Sequence, residues 1–145
     1  MKSVTLKGKS ISDITTQLNH IINADFKPTL AIVFLSIKID WKSITQQLDK
    51  KDIAVFGATT SGEFIDGDIE DGSITIMLLD LNPEYFKLKY FETGEQTTFE
   101  NAKLLGSEGK NTFTNPAFII VSGWLTQDGE AIVEGITEGF GSDVT

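Results

Sequence analysis

The sequence predicts a single α/β domain with a mixed, mostly parallel central sheet, covering helices and an antiparallel hairpin in its second half. Continuous apolar segments, typical of strands buried on both faces, alternate with amphipathic segments at helical spacing. The 145 residues are enough for one domain with a real core and too few for two. Two predicted strands joined by the short link of residues 82–84 indicate the hairpin.

The chain begins with a short strand and an amphipathic helix. Residues 4–7 alternate polar and apolar side chains, which predicts a strand. Residues 10–24 carry isoleucines and leucines at helical spacing. Ser10 or Ser12 is expected to cap this helix, with Asp13 in its first turn.

A central strand and a second helix follow. Residues 30–35 are continuously apolar, as expected for a strand covered on both faces. Asp40 then precedes a helix over residues 41–49. Its predicted core face consists of Trp41, Ile44 and Leu48.

Residues 53–64 join a third apolar strand to a cluster of hydroxyl groups. Residues 53–56 suit a strand covered on both faces, and Gly57 is expected to let the chain leave the sheet. Ligands of open α/β sheets bind beyond the carboxyl ends of strands. The predicted ligand-binding residues here are Gly57, Thr59, Thr60, Ser61, Gly62 and Glu63. The alternative is a polar turn whose hydroxyls cap their own backbone.

Two stronger motifs are excluded at this loop. The spacing of Gly57 and Gly62 matches a phosphate-binding P-loop, but Glu63 and Phe64 follow where that motif has Lys and Ser or Thr. A carboxylate there would repel the phosphates of a nucleotide. Ser61 also lacks the flanking glycines of a nucleophile elbow.

The second half starts with the predicted hairpin. Its strands cover residues 73–81 and 85–92, and the outer strand alternates apolar with mostly polar residues. A helix is expected to begin at Gln96 or Thr97 and to end near Gly106, where a polar loop follows.

A further buried strand is predicted over residues 117–121. It leads into small and polar residues, so that Ser122 and Trp124 complete the predicted ligand-binding set. Asp128 or Gly129 begins the last helix. The apolar residues expected to face the core from this helix are Ile132, Val133 and Ile136.

Composition narrows the possible partners and locations. The net charge of −9 argues against nucleic acid or an anionic membrane as the main partner, because both attract basic surfaces. The absence of cysteine excludes disulfides and thiolate chemistry, which fits a cytoplasmic protein. No apolar run approaches the roughly 20 residues of a membrane span, and no signal peptide is visible.

No metal or other cofactor is predicted. Four clustered acidic residues invite a calcium interpretation, but their spacing does not fit the EF-hand loop, and a solvated acidic turn is favoured. These residues are Asp66, Asp68, Glu70 and Asp71. His20 is the single histidine and is expected at the surface, since it has no second histidine or cysteine with which to bind a metal.

Four segments resemble the N-terminal part of a FIST domain, the module named for F-box and intracellular signal transduction proteins. They are residues 30–36, 55–64, 71–79 and 119–124, with Gly129 and the helix containing Gly135. The resemblance implies a sensory module that recognises small molecules such as amino acids and works with a signalling output domain or protein. It also implies a second half, FIST C, so the chain is expected to be truncated at its C-terminal end.

The predicted function is therefore a non-enzymatic sensor. The hydroxyls and N–H groups of the loop would bind an acceptor such as an α-carboxylate, and Glu63 or an Asp of the following turn would receive an ammonium. One alternative is a protein-interaction module in which the strand over residues 85–92, or an adjacent face, docks a partner domain. Another is a hydrolase with Ser61 or Thr60 as nucleophile, for which the sequence shows no placed base.

Overall fold

The computed structural model describes residues 1–22, 25–65, 68–92, 96–123 and 128–141. The α/β class is confirmed. The chain divides into two compact units, Met1–Phe86 and Lys87–Thr145, so the predicted single domain is not confirmed. The elements of the first unit are β1 (Lys2–Gly8), α1 (Ile11–Ile21), β2 (Leu30–Ser36), α2 (Trp41–Asp49), β3 (Ala54–Thr60), β4 (Glu63–Ile65), β5 (Asp68–Glu70) and β6 (Ile74–Asp80). Those of the second unit are α3 (Thr98–Thr112) and α4 (Gly129–Phe140).

The main sheet has the strand order β1-β6-β2-β3. Only β2 and β3 are parallel, with Leu30 opposite Ala54, whereas β6 runs antiparallel to both β1 and β2. The expectation of a mostly parallel sheet is therefore wrong for the described strands. The sequence pattern misses this because a strand inserted between two earlier ones has the same apolar character in either direction. Strands β4 and β5 form a separate antiparallel pair.

One face of the main sheet packs against α1 and α2. Its buried residues belong to one continuous cluster: Leu6, Ala31, Val33, Leu35, Ile74, Ile76 and Leu78 from the strands, and Ile14, Leu18, Ile44 and Leu48 from the helices. Burial of these side chains supplies the main driving force for folding of this unit. Trp41, predicted to join them, is 50% exposed because it is the first residue of α2 and lies beside an exposed turn.

Both helices of the first unit begin where the sequence predicts. The Ser10 hydroxyl accepts from the Asp13 N–H at 3.1 Å, and the Asp13 carboxylate accepts from the Ser10 N–H at 3.1 Å. This reciprocal cap fixes the start of α1, which ends at Ile21, short of the predicted residue 24. Asp40 caps α2 by accepting from the Lys42 N–H.

The predicted hairpin after β6 does not form. Both edges of β6 are already paired, with β1 and β2, so no edge remains for an outer strand. The Asn82 side chain accepts from the Glu84 N–H at 3.0 Å, and a 3-10 helix over Pro83–Tyr85 turns the chain away. Residues 86–92 are not part of a strand.

In the second unit, α3 runs through the glycine expected to end it. A Cβ on Gly106 would lie 2.3 Å from the Ile136 carbonyl oxygen, and one on Gly109 would lie 2.5 Å from the Phe118 ring. These glycines therefore allow α4 and the Phe118 ring to approach α3 closely, and they do not terminate the helix. Glu108 of α3 also pairs with Lys87 and Lys89.

The strand predicted over residues 117–121 is also absent. Ile119 is 69% exposed, and the described part of the second unit contains no strand with which this segment could pair. Asp128 caps α4 as expected. Ile136 is buried, whereas Val133, predicted to face the core, is 65% exposed. Among the described helices, none is long and apolar enough to cross a membrane.

Candidate functional site

The predicted hydroxyl loop is largely the end of β3. Gly57 does not release the chain from the sheet; it lies opposite Val33, and the strand continues to Thr60. A Cβ on Gly57 would lie 1.8 Å from the Val33 carbonyl oxygen, so glycine is needed for close approach of the two strands. Strand β3 lies at the sheet edge and is only partly buried, contrary to the expectation of cover on both faces. Thr59 is exposed and Thr60 is half-buried.

Polar residues from three strands meet at the carboxyl ends of β2 and β3. Ser36 lies opposite Thr60 in the parallel pair. The Ser36 N–H donates to the Ser73 carbonyl at 3.0 Å, just before β6 begins. The Thr75 hydroxyl donates to the Phe34 carbonyl at 3.1 Å. Together with Glu63, these hydroxyl residues form the strand-end cluster: Ser36, Thr60, Glu63, Ser73 and Thr75.

Glu63 is the buried centre of this cluster. The residue is 1% exposed. One of its carboxylate oxygens accepts from the Thr60 hydroxyl at 2.6 Å. The other accepts from the Ser73 N–H at 3.1 Å and from the Ser73 hydroxyl at 3.3 Å. Three neutral donors thus replace the hydration that the carboxylate loses on burial. Both carboxylate oxygens of Glu63 therefore already accept hydrogen bonds from residues of the same chain.

The turn between Thr60 and Glu63 is the exposed part of the site. Ser61 and Gly62 are both exposed. A Cβ on Gly62 would lie 3.6 Å from a carboxylate oxygen of Asp71, and Asp71 is itself exposed. The next residue, Gly72, has a φ of 76°, a left-handed conformation that glycine adopts readily, and the backbone bends at Asp71 and Gly72 before β6. The carboxylate of Asp71 thus lies on the same surface as Ser61 and Gly62.

The predicted site residues divide between the two units. Those from Gly57 to Glu63 lie together at the end of β3 and in the turn that follows it. Ser122 is exposed in the second unit, and Trp124 lies outside the described residues. Sequence reasoning missed Ser36, Ser73 and Thr75. Their signal was a polar residue at the end or start of a buried apolar run, which is weaker than a cluster of adjacent hydroxyls.

The described residues contain no group of three His, Cys, Asp or Glu side chains that could hold a metal ion. Asp66, one of the four acidic residues weighed for calcium, lies outside the described part of the chain. His20 is exposed on α1, as the sequence predicts.

The contact between Thr60 and Glu63 has the distance of a nucleophile and its base. Sequence reasoning found no base for this hydroxyl. However, Glu63 is buried, and its second carboxylate oxygen accepts a hydrogen bond from Ser73. A proton taken from Thr60 by Glu63 could therefore not be passed on easily to the leaving group of a substrate. The arrangement is better suited to fixing a turn than to acyl transfer.

Of three comparisons with known proteins, the one with family models agrees with the resemblance of the sequence to a FIST domain. Neither the curated proteins nor the solved structures that were compared contain a significant match to this chain. The family model of the FIST N domain matches residues 29–145. This range includes β2, β3 and the whole strand-end cluster, as well as α3 and α4. The chain therefore belongs to the FIST N domain family.

Proposed function

We propose that this chain is a non-enzymatic sensory module of a signal transduction protein that binds a small molecule, such as an amino acid, at the turn after β3. Membership of the FIST N family supports the sensory role. The position of the turn supports the binding site, because it lies at the carboxyl ends of the parallel strands β2 and β3.

The observation that carries the proposal is the fixed geometry of the exposed turn. Glu63 ties the end of β3 to Ser73 through three hydrogen bonds, while Ser61 and Gly62, between the anchored residues Thr60 and Glu63, remain exposed. A turn held in this way loses little conformational freedom when a ligand binds, which improves affinity. The hydrogen bonds of the buried Glu63 thus fix the backbone that carries the exposed Ser61 and Gly62.

The ligand chemistry follows from the exposed groups. The Ser61 and Thr59 hydroxyls and the backbone N–H groups around Gly62 are donors for a carboxylate. Asp71 is an exposed acceptor for an ammonium, whereas Glu63 is engaged by its own chain. We therefore assign the ammonium to Asp71. Participation of Ser122 and Trp124 stays a prediction.

Thermal melting of the chain with a panel of amino acids, simple amines and simple carboxylates tests the proposal. A ligand that binds the native state alone raises the melting temperature. We expect an upward shift with amino acids, confirmed by calorimetric titration. Ser61→Ala and Asp71→Asn should each weaken binding by about tenfold, in line with the loss of one ligand hydrogen bond or ion pair.

Ser12→Ala is the matched control for Ser61→Ala, because Ser12 is an exposed serine on α1. Equal affinity in Ser61→Ala, Asp71→Asn and the control would refute this site. Hydrolysis of ester or amide substrates that is lost in Thr60→Val would instead favour the hydrolase alternative. Absence of binding by the whole panel would reject an amino acid ligand.

A further inference from the structure

Two large apolar side chains are exposed on either side of the turn between β2 and α2. Ile37 is 71% exposed and Trp41 is 50% exposed. Single exposed apolar residues are common on soluble domains. Trp41 is the stronger candidate for an anchor of a partner, because tryptophan is enriched among the residues that dominate binding energy at protein interfaces.

The backbone of this turn is well anchored. The Ile37 N–H donates to the Thr60 carbonyl at 3.3 Å, and the Ile39 N–H donates to the Ser36 carbonyl at 2.9 Å. The Lys38 N–H donates to the Ser36 hydroxyl at 3.4 Å. Ile39 packs against the core cluster. The exposed side chains therefore project from a fixed frame, and binding a partner would cost little ordering of the backbone.

The start of α2 fixes the other side of the turn. Asp40 accepts from the Lys42 N–H at 3.1 Å and from the Ser43 hydroxyl at 2.6 Å, so its carboxylate is directed at its own helix. The Lys42 ammonium lies 5.6 Å from the centre of the Trp41 ring, within the range of a cation–π contact. The Lys42 ammonium therefore lies over the Trp41 ring.

Residues 37–42 carry a net positive charge, because the exposed Lys38 and Lys42 outnumber the exposed Asp40. Lys38 follows Ile37 and Lys42 follows Trp41 in the sequence, in a protein whose net charge is −9. Ile37, Lys38, Trp41 and Lys42 together are called the docking patch. Cations around an apolar centre complement carboxylates around an apolar side chain.

We propose that the docking patch binds a segment of another protein that presents an apolar side chain flanked by carboxylates. The apolar side chain would contact Ile37 and Trp41, and the carboxylates would pair with Lys38 and Lys42. This surface differs from the segment over residues 85–92 that the alternative prediction of an interaction module used. It also requires no ligand at the strand-end cluster, so it stands independently of the proposed function.

A nuclear magnetic resonance titration of the isotope-labelled chain with synthetic peptides of about 12 residues tests this inference. The first peptide places Leu and Phe between Glu and Asp residues. In the second, every acidic residue is replaced by Lys, and in the third, Leu and Phe are replaced by Ser. We expect shifts of backbone signals over residues 37–42 with the first peptide only.

Variants then test the assignment to side chains. Ile37→Ser and Trp41→Ala should each weaken binding of the acidic peptide by about tenfold. Lys42→Glu should weaken it and reduce its dependence on salt. Lys50→Glu is the matched control, because Lys50 is exposed at the other end of α2. Ile37→Ser retains the tryptophan, so it remains informative if Trp41→Ala folds poorly.

Three results would overturn the inference. One is the absence of binding by the acidic peptide at millimolar concentration. Another is equal binding of the acidic peptide to Ile37→Ser, Lys42→Glu and the control. The third is sedimentation of the free chain as a dimer that Ile37→Ser converts to a monomer, because the occupant would then be a second copy.

Discussion

The Thr60 hydroxyl donates a 2.6 Å hydrogen bond to the buried carboxylate of Glu63, whose other oxygen accepts from Ser73. A single side chain thus connects the end of β3 to the start of β6. The exposed residues Ser61 and Gly62 lie between Thr60 and Glu63. Their geometry therefore depends on a buried contact that a ligand would not touch.

Glu63→Ala should destabilise the protein more than Glu63→Gln. Alanine leaves the buried Ser73 N–H without an acceptor and creates a cavity, at a cost of about 2–3 kcal/mol. Glutamine keeps one acceptor for Ser73, and its amide can donate to the rotatable Thr60 hydroxyl, so its cost is about 1 kcal/mol. Urea unfolding at neutral pH measures both values.

Glu134→Ala is the control for this pair, because Glu134 is exposed on α4. It should change the free energy of unfolding by less than about 0.5 kcal/mol. If Glu63→Ala were as mild as this control, the three hydrogen bonds would contribute nothing to the turn.

Gly57→Ala should be severely destabilising, and Gly72→Ala should be less so. A Cβ at Gly57 would meet the Val33 carbonyl oxygen at 1.8 Å, and moving β3 away would disrupt its pairing with β2. We expect a loss of about 3 kcal/mol or more. Gly72 has open space around a Cβ but a positive φ of 76°, so strain alone should cost about 1–2 kcal/mol. Denaturant unfolding of both variants gives the order, and a reversed order would contradict the steric argument.

Local patterns predicted β2 and α2 well, because the sequence signals of these two elements lie within or next to the elements themselves. The apolar run of residues 30–35 and the cap at Asp40 identify β2 and α2 to within a residue. The direction of a strand cannot be predicted in this way, because it depends on which edges of the sheet are free to pair. The antiparallel insertion of β6 between β1 and β2 follows from pairing across the sheet, and no local pattern records it.

The sequence predicted hydroxyl residues at the end of β3, but it did not predict the contacts that they make. Adjacent hydroxyls at Thr59, Thr60 and Ser61 drew attention to the end of β3. One partner of Glu63 is Ser73, ten residues away, and the antiparallel pairing of β4 with β5 brings the two together. Burial of Glu63 was likewise not predictable, since a glutamate beside an exposed turn usually faces water.

Gly139→Ala should separate the helices of the second unit. A Cβ on Gly139 would lie 2.0 Å from the Lys103 carbonyl oxygen, so α4 could not keep its present distance from α3. We expect a loss of about 2–3 kcal/mol and faster amide hydrogen exchange in both helices. Gly129→Ala is the control, because a Cβ on Gly129 would meet nothing within 4 Å. Unchanged exchange in Gly139→Ala would contradict the close packing.

Ser43→Ala should raise the pKa of Asp40. The Ser43 hydroxyl donates to this carboxylate at 2.6 Å. This hydrogen bond is the largest cause that lowers the pKa of Asp40 below its ordinary value of 3.8. The backbone N–H groups of Lys42 and Ser43 and the charge of Lys42 lower the pKa further, each by a smaller amount. Because the folded pKa is lowered, the stabilisation is present above the unfolded value and is lost as the pH falls through the folded pKa. The difference in melting temperature between wild type and Ser43→Ala should therefore be largest near neutral pH and shrink in acid.

Titration of the Asp40 carboxyl carbon by nuclear magnetic resonance measures the pKa directly, with Ser12→Ala as the control. An identical Asp40 pKa in Ser43→Ala and wild type would show that this hydroxyl does not stabilise the charged cap of α2.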